Sequence, residues 1–262
     1  MPLDWLDMTD VPFSAVALLE RVQLSWLPGW LPERELAIAL AANPVVAWTM
    51  ATKCPEIAPW LDRVMAQVGP ASPTELRAAE ETVLYSLTDL IVYVLDPAAY
   101  DAQPFLGWDS RELTDLTDWP GRRVLDIGSG TGRLGLTVAE IGARVYCVEP
   151  VANLRHYMRG KAAARGLDQV FVVDGLITAI PFEDRFADVT MGGHVFGDDP
   201  AAELAELERV TRPGGTVILC PGNGDHDDAR HQFLLAAGYD WSRFEEPRDG
   251  WKRKYWRTLP SG

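Results

Sequence analysis

Long apolar runs are missing from the chain. The run Leu90 to Leu95 is far shorter than the ~20 residues that a membrane-crossing helix needs. The stretch Met1 to Asp10 carries three aspartates and no run of positive charge, so neither export nor membrane insertion is expected. Cysteine is scarce as well. Cys54, Cys147 and Cys220 are odd in number, widely spaced and match no C-x-x-C or zinc pattern, which argues against a disulfide scaffold and for free thiols in a reducing, cytoplasmic compartment. Positive charge is also in short supply: 24 Lys and Arg face 38 Asp and Glu, a net charge of -14. That field repels phosphate backbones and anionic lipid, so neither nucleic acid nor membrane is expected as a partner. The densest basic stretch, Arg248 to Arg257, is interleaved with aromatics and reads as an edge hairpin.

What is present suits a packed globular protein: 47% hydrophobic and 24% charged residues over 262 positions. Up to about residue 95 the apolar positions of Glu33 to Thr52 and Pro73 to Leu95 recur at three- and four-residue spacing, which predicts helices. Pro32 and Pro73 stand at helix starts, Pro44 splits or kinks the first segment, and Pro55, Pro59, Pro70 and Pro97 mark breaks. Pro97 to Pro120, rich in Asp and Trp, reads as a connector with one short helix. The organisation is therefore a helical region with connector, 1–119, and an α/β domain, 120–262.

In the second part short β-branched runs alternate with amphipathic, helix-length segments, the pattern of βαβ units and a parallel sheet covered on both faces. Five strands are predicted: Val124 to Ile127, Arg144 to Val148, Gln169 to Val173, Phe186 to Met191 and Thr216 to Cys220. Helices are predicted at about 133–141, 151–165, 200–211 and 227–237, the first two stopping before Gly142 and Gly166. Trp241 to Glu246 and Lys252 to Leu259, separated by Pro247, Asp249 and Gly250, read as a closing antiparallel hairpin.

Val124-Leu125-Asp126-Ile127-Gly128-Ser129-Gly130-Thr131-Gly132-Arg133-Leu134 sets a buried strand, a glycine-rich turn and a helix start in succession. Glycine there permits tight φ/ψ values and close approach of a ligand, and the helix start offers N–H donors. Glu149 ends the next strand, where a carboxylate accepts both hydroxyls of a ribose. Loop and acid together point to an adenosine-containing ligand. Gly130-Thr131-Gly132-Arg133-Leu134-Gly135 also satisfies G-x-G-x-x-G, and Glu149 follows at the distance expected for NAD, so a nicotinamide oxidoreductase shares this one pattern. The charge of Asp126 at the strand end favours a ligand bearing an ammonium group over a pyrophosphate.

The set resembles the class I methyltransferases that use S-adenosylmethionine. Val124 to Gly132 looks like their first motif, and Val145-Tyr146-Cys147-Val148-Glu149-Pro150 resembles their ribose-binding second strand. Val172-Val173-Asp174-Gly175, with Ile180-Pro181-Phe182 and Phe186-Ala187-Asp188-Val189, is similar to the adenine-contacting acid and fourth strand; Arg209 to Val217 resembles the turn before the fifth. The resemblance implies a Rossmann-like, doubly wound seven-stranded sheet with its last strand antiparallel. It also implies that Gly128, Ser129, Gly130, Thr131 and Gly132 pass under S-adenosylmethionine, with Asp126 at its amino group, Glu149 and Pro150 at the ribose, and Asp174, Gly175 and Leu176 at the adenine. Gly192, Gly193 and His194 would border the methionine part. No motif is matched by the first hundred residues.

His194, after two glycines, is the one candidate catalytic base, for a proton on a substrate hydroxyl or amine; a loop-ordering role is the alternative. Asp225, His226, Asp227, Asp228 and His231 hold metal-type donors but read as a solvated helix start with capping acids, so no metal is expected. Cys54 and Cys220 would suit a soft element, as in thiol-dependent relatives of the family, whereas Cys147 reads as core. Trp26, Trp30, Trp48, Trp60 and Trp108 read chiefly as helix packing. The expected activity is methyl transfer to a small-molecule oxygen, nitrogen or carbon nucleophile. The alternatives are the oxidoreductase and a non-catalytic cofactor-binding module.

Overall fold

The computed structural model describes the chain apart from residues 1–5, Thr9, Gln67, Val68, Pro70, Pro247, Asp249 and Gly262. The predicted break at Pro70, and Pro247 and Asp249 of the predicted hairpin turn, lie outside the described residues. The chain divides into two units, Met1–Tyr100 and Asp101–Gly262.

The first unit is helical: α1 (Arg21–Ser25), α2 (Glu33–Ala42), α3 (Pro44–Lys53), α4 (Ala58–Met65), α5 (Pro73–Ser86) and α6 (Thr88–Leu95), preceded by a 3-10 turn at Phe13–Leu18. Pro44, which has no N–H to continue α2, opens α3, and the two helices bend by 112°. Among the described residues no single helix is long and apolar enough to cross a membrane. Pro73 occupies the first turn of α5 beneath a capping box in which Ser72 and Glu75 satisfy each other's backbone N–H. The apolar stripes of α2, α5 and α6 meet through Leu36, Leu40, Val83, Leu87 and Ile91. Trp60 is buried here, but Trp26, Trp30 and Trp48 are exposed, so the packing role predicted for all of them fails for these three.

The second unit begins earlier than the predicted boundary at 119/120. Helix α7 (Pro97–Asp101) leads into it, and α8 (Arg111–Thr114) lies within the connector. Trp108, Leu113 and Trp119 are buried against Val124, Leu134 and Val138 of the α/β part, and this apolar burial assigns the connector to the sheet rather than to the helical region.

The seven strands are β1 (Arg123–Ile127), β2 (Arg144–Val148), β3 (Val170–Val173), β4 (Ala187–Gly192), β5 (Thr211–Gly224), β6 (Asp240–Glu246) and β7 (Gly250–Thr258), in the order β3-β2-β1-β4-β5-β7-β6. β1 to β5 are parallel and β7 runs antiparallel to both β5 and β6, which is the reversed last strand expected. Between them lie α9 (Arg133–Glu140), α10 (Ala152–Ala164), α11 (Pro200–Val210) and α12 (Ala229–Ala236). Alternate strand residues face opposite layers: Val124, Val145, Cys147, Val189 and Ile218 pack with α9 and α10, while Leu125, Ile127, Val148, Val217 and Leu219 pack with α11 and α12. β5 is longer than predicted at both ends: before Thr216 the Pro213–Gly215 turn is a bulge, across which pairing jumps from Ala187–Thr211 to Val189–Thr216, and beyond Cys220 Asn223 and Gly224 pair with Arg253 and Lys252 of β7.

Candidate cofactor and active site

Successive strands are added to one side of β1 up to β3 and to its other side from β4 on, and in open α/β sheets ligands bind beyond the carboxyl ends of the strands at that switch point. Here the loop 128–132 leaves β1. It is tied to the next strand by Gly128 N–H and Ser129 N–H, which donate to the Val148 carbonyl at 2.8 and 3.2 Å, and it closes through Gly132 N–H on the Ser129 carbonyl at 2.7 Å. The Ser129 hydroxyl donates to the Asp126 carbonyl at 2.6 Å.

Gly128 and Gly132 have φ of 64° and 84°, a region costly for any residue with a Cβ. Their neighbours are protein atoms: a Cβ would meet Val195 Cγ2 at 2.5 Å from Gly128 and Met158 Cγ at 2.7 Å from Gly132. Close ligand approach was the predicted reason for glycine; at these two positions chain conformation and side-chain packing already require it. Thr131 is buried, and its carbonyl accepts from Lys161 Nζ at 3.0 Å.

Glu149 is buried at the end of β2. One carboxylate oxygen accepts from Gly130 N–H and the other from Val151 N–H, both at 2.9 Å, so the acid and the glycine loop meet directly. A carboxylate has about four lone-pair positions, and its chemistry allows ribose hydroxyls in addition to these two donors. Sequence reasoning missed Arg155, whose guanidinium donates to the carbonyls of Glu149 and Pro150 at 2.7 Å each and pairs with Asp174 at 3.2 Å. It fixes the ends of β2 and β3 relative to each other; the only signal was a cation one turn into the helix after the acid. Asp174 is itself largely exposed. Next to it Gly175 packs so tightly that a Cβ would meet Pro181 Cδ at 2.6 Å, and Leu176 is exposed.

Asp126 is buried, with one oxygen accepting from Gly135 N–H of α9 at 2.9 Å and the other without a hydrogen-bond partner. Its carboxylate thus lies beneath the loop, against the first turn of α9. Desolvation pushes its pKa up to about 7, partly offset by hydrogen bonds from Gly135 and Ser129, while the charge of Glu149 adds to the rise. The folded protein therefore holds this proton more tightly than the unfolded chain does. Stability falls as pH rises from about 4 to about 7, by at most ~4 kcal/mol, and levels off above. In Asp126→Asn, whose amide oxygen still accepts from Gly135, urea unfolding across pH 4.5–8 is expected to lose this slope. A slope equal to that of wild type would show that another group carries it.

Beyond β4, Gly192 is pressed on Ile127 and Val195, and Gly193 on the Cys220 carbonyl. His194 is exposed with φ 57°, unusual for a non-glycine residue, donates its N–H to the Pro221 carbonyl at 3.0 Å and sets its ring edge-on to Phe105 at 5.6 Å. Its loop is held by a second residue that sequence reasoning missed. Buried Glu203 accepts from the N–H groups of Gly197, Asp198 and Asp199 at 2.6, 3.1 and 2.9 Å.

The other candidates are engaged elsewhere. Asp228 caps α12 by accepting from His231 N–H at 2.8 Å, as predicted, and Asp225 and Asp227 accept from Arg253 at 2.8 Å each. Cys54 and Cys220 are buried, and burial pushes both thiols up, Cys220 to about 12, which opposes the thiolate that a soft element requires. Cys147 is core, as predicted.

A doubly wound sheet with a glycine turn after β1 and an acid holding that turn at the end of β2 defines an adenosine-binding α/β protein. A methyltransferase-domain family profile matches residues 125–219. An uncharacterized methyltransferase of Geobacillus kaustophilus is 30% identical over 167 residues, 61% of this chain and 74% of that protein. In Mycobacterium tuberculosis, an uncharacterized protein is 36% identical over 100 residues, 37% of this chain and 36% of its own length, and an uncharacterized methyltransferase is 34% identical over 110 residues, 40% and 43%. The chain thus spans well under half the length of these mycobacterial relatives. A solved S-adenosylmethionine-dependent methyltransferase from Aquifex aeolicus aligns with a TM-score of 0.46 at 19% identity, over 63% of this chain and 90% of that one.

The chain belongs to the class I S-adenosylmethionine-dependent methyltransferases. Its cofactor is accordingly S-adenosylmethionine, and the residues present suit that group. The loop and Glu149 converge, Asp174 stands exposed one strand further out, and the buried Asp126 carboxyl lies under the turn with one oxygen unpartnered.

Proposed function

We propose that this chain transfers a methyl group from S-adenosylmethionine to a small-molecule oxygen, nitrogen or carbon nucleophile, leaving S-adenosylhomocysteine. The observation that carries the reading is the 2.9 Å contact between Gly130 N–H and the Glu149 carboxylate, which joins the glycine turn and the ribose-type acid into one surface. When bound, the cofactor supplies an electrophilic methyl on a sulfonium. Glu149 accepts the ribose hydroxyls, Asp174 the adenine amino group beside Gly175 and Leu176, and Gly192 and His194 border the methionine end. Asp126 serves as a positioning residue: it anchors α9 under the loop, and its ionised form favours a ligand ammonium.

Methyl transfer from a sulfonium needs alignment and exclusion of water more than a strong acid, so His194 acts as base only for acceptors that arrive protonated. The net charge of -14 supports a small-molecule acceptor over nucleic acid, and three buried free thiols support a cytoplasmic setting.

Calorimetry is expected to show saturable binding of S-adenosylhomocysteine, and incubation of cell extract with methyl-labelled cofactor a labelled small product. Binding without any labelled product across broad acceptor pools would make the chain a cofactor-binding module. Enhanced fluorescence of bound NADH, with no response to S-adenosylhomocysteine, would restore the oxidoreductase reading.

A further inference from the structure

A cavity of about 510 Å³ lies within the second unit between the connector segment 101–107 and helices α9 and α10, and it shares only Gly132 with the predicted cofactor contacts. Arg133, Lys161, Arg165 and Arg248 line it, against one carboxylate, Asp101. In a chain of net charge -14 such a concentration of cations does not follow from composition.

Lys161 spends its donors internally, on both oxygens of Asp101 at 2.7 and 2.8 Å and on the Thr131 carbonyl at 3.0 Å, so that pair neutralises itself. Arg133, Arg165 and Arg248 remain. Arg165 reaches Glu140 at 2.9 Å, but both side chains are nearly half exposed, and pairs of that kind bind weakly. Arg133 donates to the Trp108 carbonyl at 2.6 Å and lies 5.2 Å from the Trp108 ring, while its Nε is buried with no hydrogen-bond partner. The cations also sense one another. Burial lowers the pKa of Lys161, and although Asp101 opposes that change, Arg165 and Arg133 both add to it. Three acids oppose the four cations: Asp101 at Lys161, Glu140 at Arg165, and Glu246, whose charge acts on Arg133. The balance of these seven groups stays positive, and an anion entering the cavity relieves the repulsion that remains.

We propose that this cavity binds an anionic small molecule through a phosphate or carboxylate group, outside the cofactor loop. The volume lies in the range of small-molecule sites and exceeds what a lone phosphate fills. Guanidinium groups suit planar or tetrahedral oxyanions because they present paired donors.

The test is calorimetric titration of the whole chain at low salt with inorganic pyrophosphate and, separately, with citrate. Arg165→Gln combined with Arg248→Gln alters exposed side chains, and its thermal melting is expected to match that of wild type. Wild type is expected to bind one or both anions saturably, the tighter one naming the group. The double variant is expected to bind it about tenfold or more weakly, with S-adenosylhomocysteine affinity unchanged. Absence of saturable binding of either anion up to millimolar concentration, or equal affinity in the double variant, overturns the proposal. So does displacement of S-adenosylhomocysteine by pyrophosphate, which would place the anion at the loop. Because the readout is binding of a simple anion, it stands or falls independently of methyl transfer.

Discussion

Glu149→Gln is expected to weaken S-adenosylhomocysteine binding by roughly ten- to a hundredfold, the largest effect of any isosteric change in the chain. Each Glu149 oxygen accepts from a backbone N–H, one from Gly130 and the other from Val151. A glutamine has one oxygen and one NH2, so whichever way it turns, one donor faces another donor in a buried place. That mismatch is present with or without ligand and costs the fold roughly 1–3 kcal/mol, while in the complex the ribose loses a charged acceptor worth roughly 1.5–3 kcal/mol of binding. Glu149→Ala leaves both N–H groups bare and is expected to lose at least as much. Calorimetry reads the affinity, and thermal melting separates a loosened loop from a lost ligand contact. Unchanged affinity in Glu149→Gln would remove the ribose assignment.

Gly132→Ala is expected to destabilise the fold by about 2–5 kcal/mol, from ~1–2 kcal/mol for a left-handed residue with a Cβ and ~1–3 kcal/mol for overpacking. The first part follows from φ 84°, the second from Met158 Cγ at 2.7 Å. Met158→Ala in the same chain should relieve the steric part and leave the conformational part. Gly160→Ala supplies the contrast. Gly160 lies within α10 with nothing within 4 Å of a built Cβ, so the same substitution there is expected to stabilise by up to ~1 kcal/mol. Chemical denaturation of the two variants should move in opposite directions; a destabilisation of Gly132→Ala below ~1 kcal/mol would mean that the loop shifts to accept a Cβ.

The α/β half was legible because its cues are local. Val124 to Ile127 and Arg144 to Val148 are short β-branched runs, and the observed strands extend or match them within a residue. Gly142 and Gly166, with φ of 97° and 66°, stop α9 and α10 where predicted. The break at Leu87 between α5 and α6 carried no proline and went unread within Pro73 to Leu95. Arg155 and Glu203 were unreadable as site residues for a related reason. An arginine in a helix and a glutamate in a first turn are ordinary, and their partners are the loop carbonyls and amides that tertiary folding brings to them.

By itself the amino-acid sequence determined the βαβ order, the glycine turn after β1 and the acids ending β2 and β3, because each depends on side-chain period, backbone freedom or spacing within a few residues. Tertiary structure alone decided that Asp126 faces α9 and is pushed towards neutrality, that Glu149 is shared between Gly130 and Val151, and that the connector belongs to the sheet. Those outcomes rest on desolvation and on contacts between residues distant along the chain, which exist only once the layers have packed.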